Sequence, residues 1–196
     1  MKVIFLDHDG VICLPNQWGG RHKKEKEYRK DKKLSYDEPV SIDARFDNFD
    51  KKCVNILNEI IEEIECEIVV TSDWRVKATL EEMGIYYENQ GIIKKPIDFT
   101  HSMSYEEYEQ SRIDNTFKNY NYEYDEIRAN EIRKYLSEHP EITHWVAIDD
   151  LDMRYYSYDY AGEIIIPWGL KNFIMTRFNE GLKQTGLKDK ILKYLI

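Results

Sequence analysis

The stretch Lys2-Val3-Ile4-Phe5-Leu6-Asp7-His8-Asp9-Gly10 decides how this chain is read. An apolar run this short and continuous reads as a buried strand. Two carboxylates directly behind it are costly to place at the exit of such a strand without a partner. Gly10 lets the backbone turn away sharply. A plain turn or cap after a strand also uses Asp and Gly, so this stretch alone leaves both readings open. Two later stretches repeat the pattern. Ile68-Val69-Val70 runs into Thr71-Ser72-Asp73, and Trp145-Val146-Ala147-Ile148 runs into Asp149-Asp150. Capping explains hydroxyls there, but explains poorly two adjacent acids just after a buried strand.

Between these stretches lie helical patterns. Asp50–Glu65 places Val54, Leu57, Ile60, Ile61 and Ile64 at helical spacing, and Glu126–Glu138 does so with Ile127, Ile132, Tyr135 and Leu136. Leu187, Ile191, Leu192 and Leu195 mark a closing helix. The spacing in Trp74–Met83 predicts a helix ended by Gly84, followed by a short strand at Ile85–Tyr87. Glu163–Ile166 reads as a fourth strand. Alternating strands and helices imply an α/β fold, a three-layer sandwich on a mainly parallel sheet. The carboxyl ends of parallel strands form the ligand crevice, so acid, hydroxyl and acid would converge on one rim.

A length of 196 residues fits one domain, 1–196, with insertions. Two segments, about 14–48 and 93–125, are too long and polar for ordinary loops. The first is basic: Arg21 to Lys33 holds eight Lys/Arg against three acids. The second is acidic and rich in tyrosine, with Tyr105, Tyr108, Tyr120, Tyr122 and Tyr124. The net charge of −9 argues against a global grip on nucleic acid or an anionic membrane. No apolar run approaches a membrane span, and the early Asp7 does not suit a signal peptide. Three cysteines without metal-type spacing imply a reducing, cytoplasmic setting.

The chemistry these residues suit is phosphoryl transfer. One Asp can attack phosphorus, and its neighbour can move a proton. A hard cation such as Mg²⁺ would relieve their repulsion and bind the phosphate. A fixed side-chain cation is needed as well. Arg128 stands near a helix start, where a basic residue opposes the helix dipole. Lys94 and Lys95 are its rivals, and Arg75 suits either a second phosphate ligand or a surface ion pair.

These motifs resemble the haloacid dehalogenase (HAD) superfamily of phosphohydrolases. Its strand-DxDG motif matches Phe5 to Gly10, its strand ending in Ser or Thr matches Val69 to Ser72, and its basic residue at a helix start matches Arg128. Its strand ending in acids matches Asp149-Asp150, all four in family order. Ser72-Asp73-Trp74-Arg75 looks like the SxWR form, found in a group that includes HAD domains associated with RNA repair proteins. The resemblance implies Asp7 as nucleophile, Asp9 as general acid/base, Ser72 or Thr71 on the phosphoryl oxygens, and Arg128 or Lys95 as the steadying cation. It implies Mg²⁺ on Asp7, the Asp9 carbonyl and Asp149, with Asp150 as the alternative ligand.

The reading is therefore a Mg²⁺-dependent phosphatase acting on a phosphorylated small molecule, a nucleotide or a nucleic-acid end. The basic run, with Trp18 and Tyr28, would attract such an anion by charge and stacking; a solvated charged loop is the plainer reading. A non-catalytic phosphate-binding module is the alternative. A receiver domain would need a lone Asp closing the middle strand, where Thr71-Ser72 stands.

Overall fold

The computed structural model describes residues 1–15, 20–104, 106–107, 123–154, 156–158, 164–167 and 170–196. Strand β1 (Lys2–Leu6) is central. It pairs in parallel with β2 (Glu67–Val70) on one side and β4 (His144–Asp149) on the other. Strand β3 (Asp98–Phe99) extends the sheet beyond β2, and β7 (Phe173–Met175) extends it beyond β4. All five strands are parallel, in the order β3-β2-β1-β4-β7. Strands β5 (Tyr156–Tyr158) and β6 (Ile164–Pro167) form a separate antiparallel ribbon.

The helices that can be followed among the described residues are α1 (Gly20–Lys32), α2 (Ile42–Arg45), α3 (Lys51–Ile64), α4 (Leu80–Asn89), α5 (Glu123–Glu138) and α6 (Leu187–Leu195). Alternating strand residues split the core into two layers, as the period of two requires. Ile4, Leu6, Ile68, Val70, Val146 and Ile148 pack against α3, α4 and α6 on one face. Val3, Phe5, Val69 and Ala147 pack against Ala129, Ile132 and Tyr135 of α5 on the other. This is the three-layer α/β arrangement the sequence implied.

The stretch after β2 differs from the expectation. Asp73–Lys77 is a 3₁₀ turn, and the helix begins only at Leu80, capped by a reciprocal Thr79–Glu82 box. That box restarts the chain as α4, which runs through Gly84 and takes in the supposed strand Ile85–Tyr87. The helix passes through Gly84 because Met83, Tyr86 and Tyr87 around it are buried in the core. Near the expected strand Glu163–Ile166, the backbone at Ile164–Pro167 pairs with β5 and not with the main sheet. All three cysteines are buried and none forms a disulfide. Among the described residues no helix is long and apolar enough to cross a membrane.

Candidate active site

The register puts the three strand ends level. Leu6 lies opposite both Val70 and Ile148, so Asp7, Thr71 and Asp149 follow side by side on adjacent strands. Backbone pairing continues one step further, with the Asp7 N–H donating to the Ile148 carbonyl at 3.0 Å and the Thr71 N–H donating to the Leu6 carbonyl at 3.0 Å. Past Asp7 the chain coils tightly. The His8 carbonyl accepts from the N–H groups of Val11, Ile12 and Cys13, and Gly10 takes φ +69°. A Cβ on Gly10 would overlap the Asp150 carboxylate, so glycine is required for space as well as conformation. The far end of the chain braces this coil, through Thr176 Oγ1 donating to the Gly10 carbonyl at 2.9 Å and the Leu182 N–H donating to the Val11 carbonyl at 3.0 Å.

Asp7, Asp149 and Asp150 each bring a carboxylate oxygen to within 4.8 Å of the other two. Arg128 reaches into this group from α5. Its Nη1 donates to Asp7 Oδ1 at 2.8 Å and to Asp149 Oδ2 at 2.9 Å, and its Nη2 donates to Asp73 Oδ1 at 3.0 Å. Burial, then the Asp149 charge, pushes the Asp7 carboxyl well above the usual range, against the pull of Arg128. Burial and Asp149 raise Asp150 to about 6. Burial works against the Arg128 charge, but Asp7 and Asp149 overcome it and hold the guanidinium firmly protonated.

The remaining expected residues divide. Thr71 and Ser72 are buried at the end of β2. Ser72 Oγ also caps the 3₁₀ turn, accepting from the Trp74 N–H at 3.4 Å. Asp9 stands outside the group of three carboxylates, and its Oδ2 accepts from the Trp74 indole N–H at 2.8 Å. Arg75 is not a surface ion pair. It is buried, with Nη2 on Glu131 Oε2 at 2.7 Å and Nη1 on the Thr71 carbonyl. Burial pulls Arg75 down and pushes Glu131 up, while their mutual attraction opposes both. The structure does not bring Lys95 to the cluster: its side chain is 61% exposed and pairs with Glu88 of α4 at 3.2 Å. Lys94 pairs with Glu67, at the opposite end of β2 from Thr71.

Sequence reasoning missed three partners. Asp73 shares Arg128 with Asp7 and Asp149 although it is 81% exposed. Glu131, one helical turn beyond Arg128, binds Arg75 and accepts the Met103 N–H at 2.8 Å. Trp74 holds Asp9. The available signal was the spacing of Arg128 and Glu131, three apart and so on one face of a helix. Of the basic and aromatic insertion residues, Trp18, Tyr105, Tyr108, Tyr120 and Tyr122 lie outside the described residues, as do the side chains of Arg21, His22 and Tyr124. Lys24, on α1, donates to the Phe46 carbonyl and Asn48 Oδ1, both at 2.8 Å.

The donor set suits a hard divalent cation: three carboxylates on a rigid sheet edge, mutually repelling, with one buried arginine among them. The buried acid group, with a single arginine and strand-end hydroxyls beside it, sits at the carboxyl rim of the sheet of an α/β scaffold. Residues 3–186 match the family described as the HAD domain in Swiss Army Knife RNA repair proteins, and the chain belongs to that family. No curated protein and no solved structure matches the chain.

Proposed function

We propose that this chain is a Mg²⁺-dependent phosphomonoesterase that works through an aspartyl-phosphate on Asp7. Its family supports a HAD-type phosphohydrolase. One observation carries the finer reading: a single buried guanidinium bridges Asp7 and Asp149 from adjacent strand ends. That arrangement fixes a nucleophilic carboxylate beside a cation suited to phosphoryl oxygens.

Asp7, Asp149 and Asp150 would hold the metal, which when bound supplies positive charge to the phosphate and offsets the crowded carboxylates. A carboxylate oxygen of Asp7 attacks phosphorus, and the bond from phosphorus to the leaving oxygen breaks. Asp9, as the acid, gives its proton to that oxygen. Asp9 then takes a proton from water, whose oxygen attacks phosphorus. The bond from phosphorus to Asp7 breaks, releasing phosphate and restoring the free carboxylate. Arg128, Ser72 and Thr71 face the phosphoryl oxygens from the ends of α5 and β2. Arg75 is assigned to bracing the Thr71 carbonyl rather than to substrate.

The substrate we favour is a nucleotide or the terminal phosphate of a nucleic acid, as the family's association with RNA repair supports. The chain is read as one functional unit, with segments 14–48 and 93–125 as the insertions that set selectivity. The test is a panel of mononucleotides, 3′- and 5′-phosphorylated oligonucleotides, sugar phosphates and an aryl phosphate, with and without Mg²⁺. Turnover by wild type that is lost in Asp7→Asn supports the reading. Binding without turnover across the panel would favour a non-catalytic module instead.

A further inference from the structure

Trp74 sits among aromatic side chains beside the site and is 3% exposed. Its ring stacks on Phe46, with centroids 4.6 Å apart and planes 2° from parallel, and on Phe49, at 5.6 Å and 18°. His8 meets it edge-on at 4.9 Å. The neighbouring backbone is itself tied down. Lys24 Nζ and the Tyr86 hydroxyl donate to the carbonyls of Phe46 and Asp47, and the Phe49 N–H donates to Gln90 Oε1. An indole packed this way has no second rotamer that keeps its stacking. Its N–H direction is therefore fixed, and that N–H meets Asp9 Oδ2 at 2.8 Å.

We infer that Trp74 is a positioning residue for Asp9, using its indole N–H to aim the acid at the leaving-group oxygen. The inference rests on the phosphatase reading above and deepens it. The indole makes the two carboxylate oxygens inequivalent. Oδ2 is the indole's acceptor, so the plane of the carboxyl is set by that bond. Without the N–H the carboxyl samples other orientations, and a proton donor displaced from its acceptor is a poor catalyst. Phe46 and Phe49, at the end of the basic insertion, thus support the acid through Trp74.

The assay separates this role from a structural one by leaving group. The steady-state kcat/KM reports the steps up to formation of the phosphoenzyme. An alkyl phosphate needs a proton on its leaving oxygen in that step, and p-nitrophenyl phosphate does not. In Trp74→Phe, kcat/KM should fall about 30-fold for the alkyl phosphate and less than about threefold for the aryl one. In an Asp9→Asn background, adding Trp74→Phe should change either value by less than about twofold. Equal losses on both substrates, or an undiminished loss in the Asp9→Asn background, overturn the inference and leave the phosphatase reading standing. A wild-type protein that turns over neither substrate overturns both. If Trp74→Phe fails to fold, benzothienylalanine at position 74 replaces it. That side chain keeps the shape of tryptophan with sulfur in place of the N–H, and the same outcomes decide.

Discussion

Removing the metal should leave the fold carrying a pH-dependent burden at the ends of β1 and β4, and Mg²⁺ should lift it. Carboxylate oxygens of Asp7, Asp149 and Asp150 lie within 4.8 Å of one another. At an effective dielectric of about 20, each such pair repels by roughly 3 kcal/mol before Arg128 offsets part of it. The sign for Asp150 is clear. Its folded-state pKa, about 6, lies above the ordinary 3.8, so the folded chain binds more protons between those values. Stability from this group therefore falls as pH rises from about 4 to about 6, and stays low above. The full shift corresponds to about 3 kcal/mol. Asp150 is partly exposed, so screening reduces this to about 1 kcal/mol, or about 3 °C in a chain of this size. Asp7 is raised in the same direction. Mg²⁺ at about 100 times its Kd should add about 2.7 kcal/mol, or about 5–10 °C. The assay is thermal unfolding followed by circular dichroism, in EDTA and in MgCl₂, from pH 4.5 to 7.5. In EDTA at pH 7.5, Asp150→Asn should melt above wild type, and the two should converge at pH 4.5. Coincident EDTA and Mg²⁺ curves for wild type at pH 7.5 would refute the reasoning, as would an equal Mg²⁺ gain in Asp149→Asn.

The other predictions concern what surrounds the cluster. Glu131→Gln strands the buried Arg75 charge, and denaturant unfolding should show a loss of about 3–5 kcal/mol; the double change Arg75→Met with Glu131→Leu should recover most of it. Gly10→Ala places a methyl group against the Asp150 carboxylate at a positive φ, so the Mg²⁺-induced rise in melting temperature should shrink by at least half. Lys95→Ala should leave kcat/KM within about twofold of wild type, because its ammonium pairs with Glu88 at the surface.

How much of this was visible in the sequence follows from where the information sits. Strands β1 and β4 and helices α3 and α6 were legible because their apolar residues repeat at the periods of strand and helix, and each carries enough of them to bury a face. Strands β3 and β7, of two and three residues, carry too few side chains to show a period. The 3₁₀ turn at Asp73–Lys77 was hidden because Val76 fits a helical pattern yet points outward. Ending the next helix at Gly84 over-weighted an intrinsic preference that the burial of Met83, Tyr86 and Tyr87 overrides. In the site, the clustered acids could be read because each closes an apolar strand. Trp74, Asp73 and Glu131 could not, since their roles come from partners 65, 55 and 56 residues away. The burial of Arg75 was hidden for the same reason: nothing nearby in the chain announces Glu131.

The level register of β1 with β4 also bears on how this site is assembled. Asp7 and Arg128 are 121 positions apart in the chain, and Asp149 lies 21 beyond Arg128. Until β4 slots in beside β1, the early half of the chain carries an exposed acid with no matching arginine and no counterpart at Asp149. Whatever reactivity the rim possesses therefore depends on the closing of the sheet.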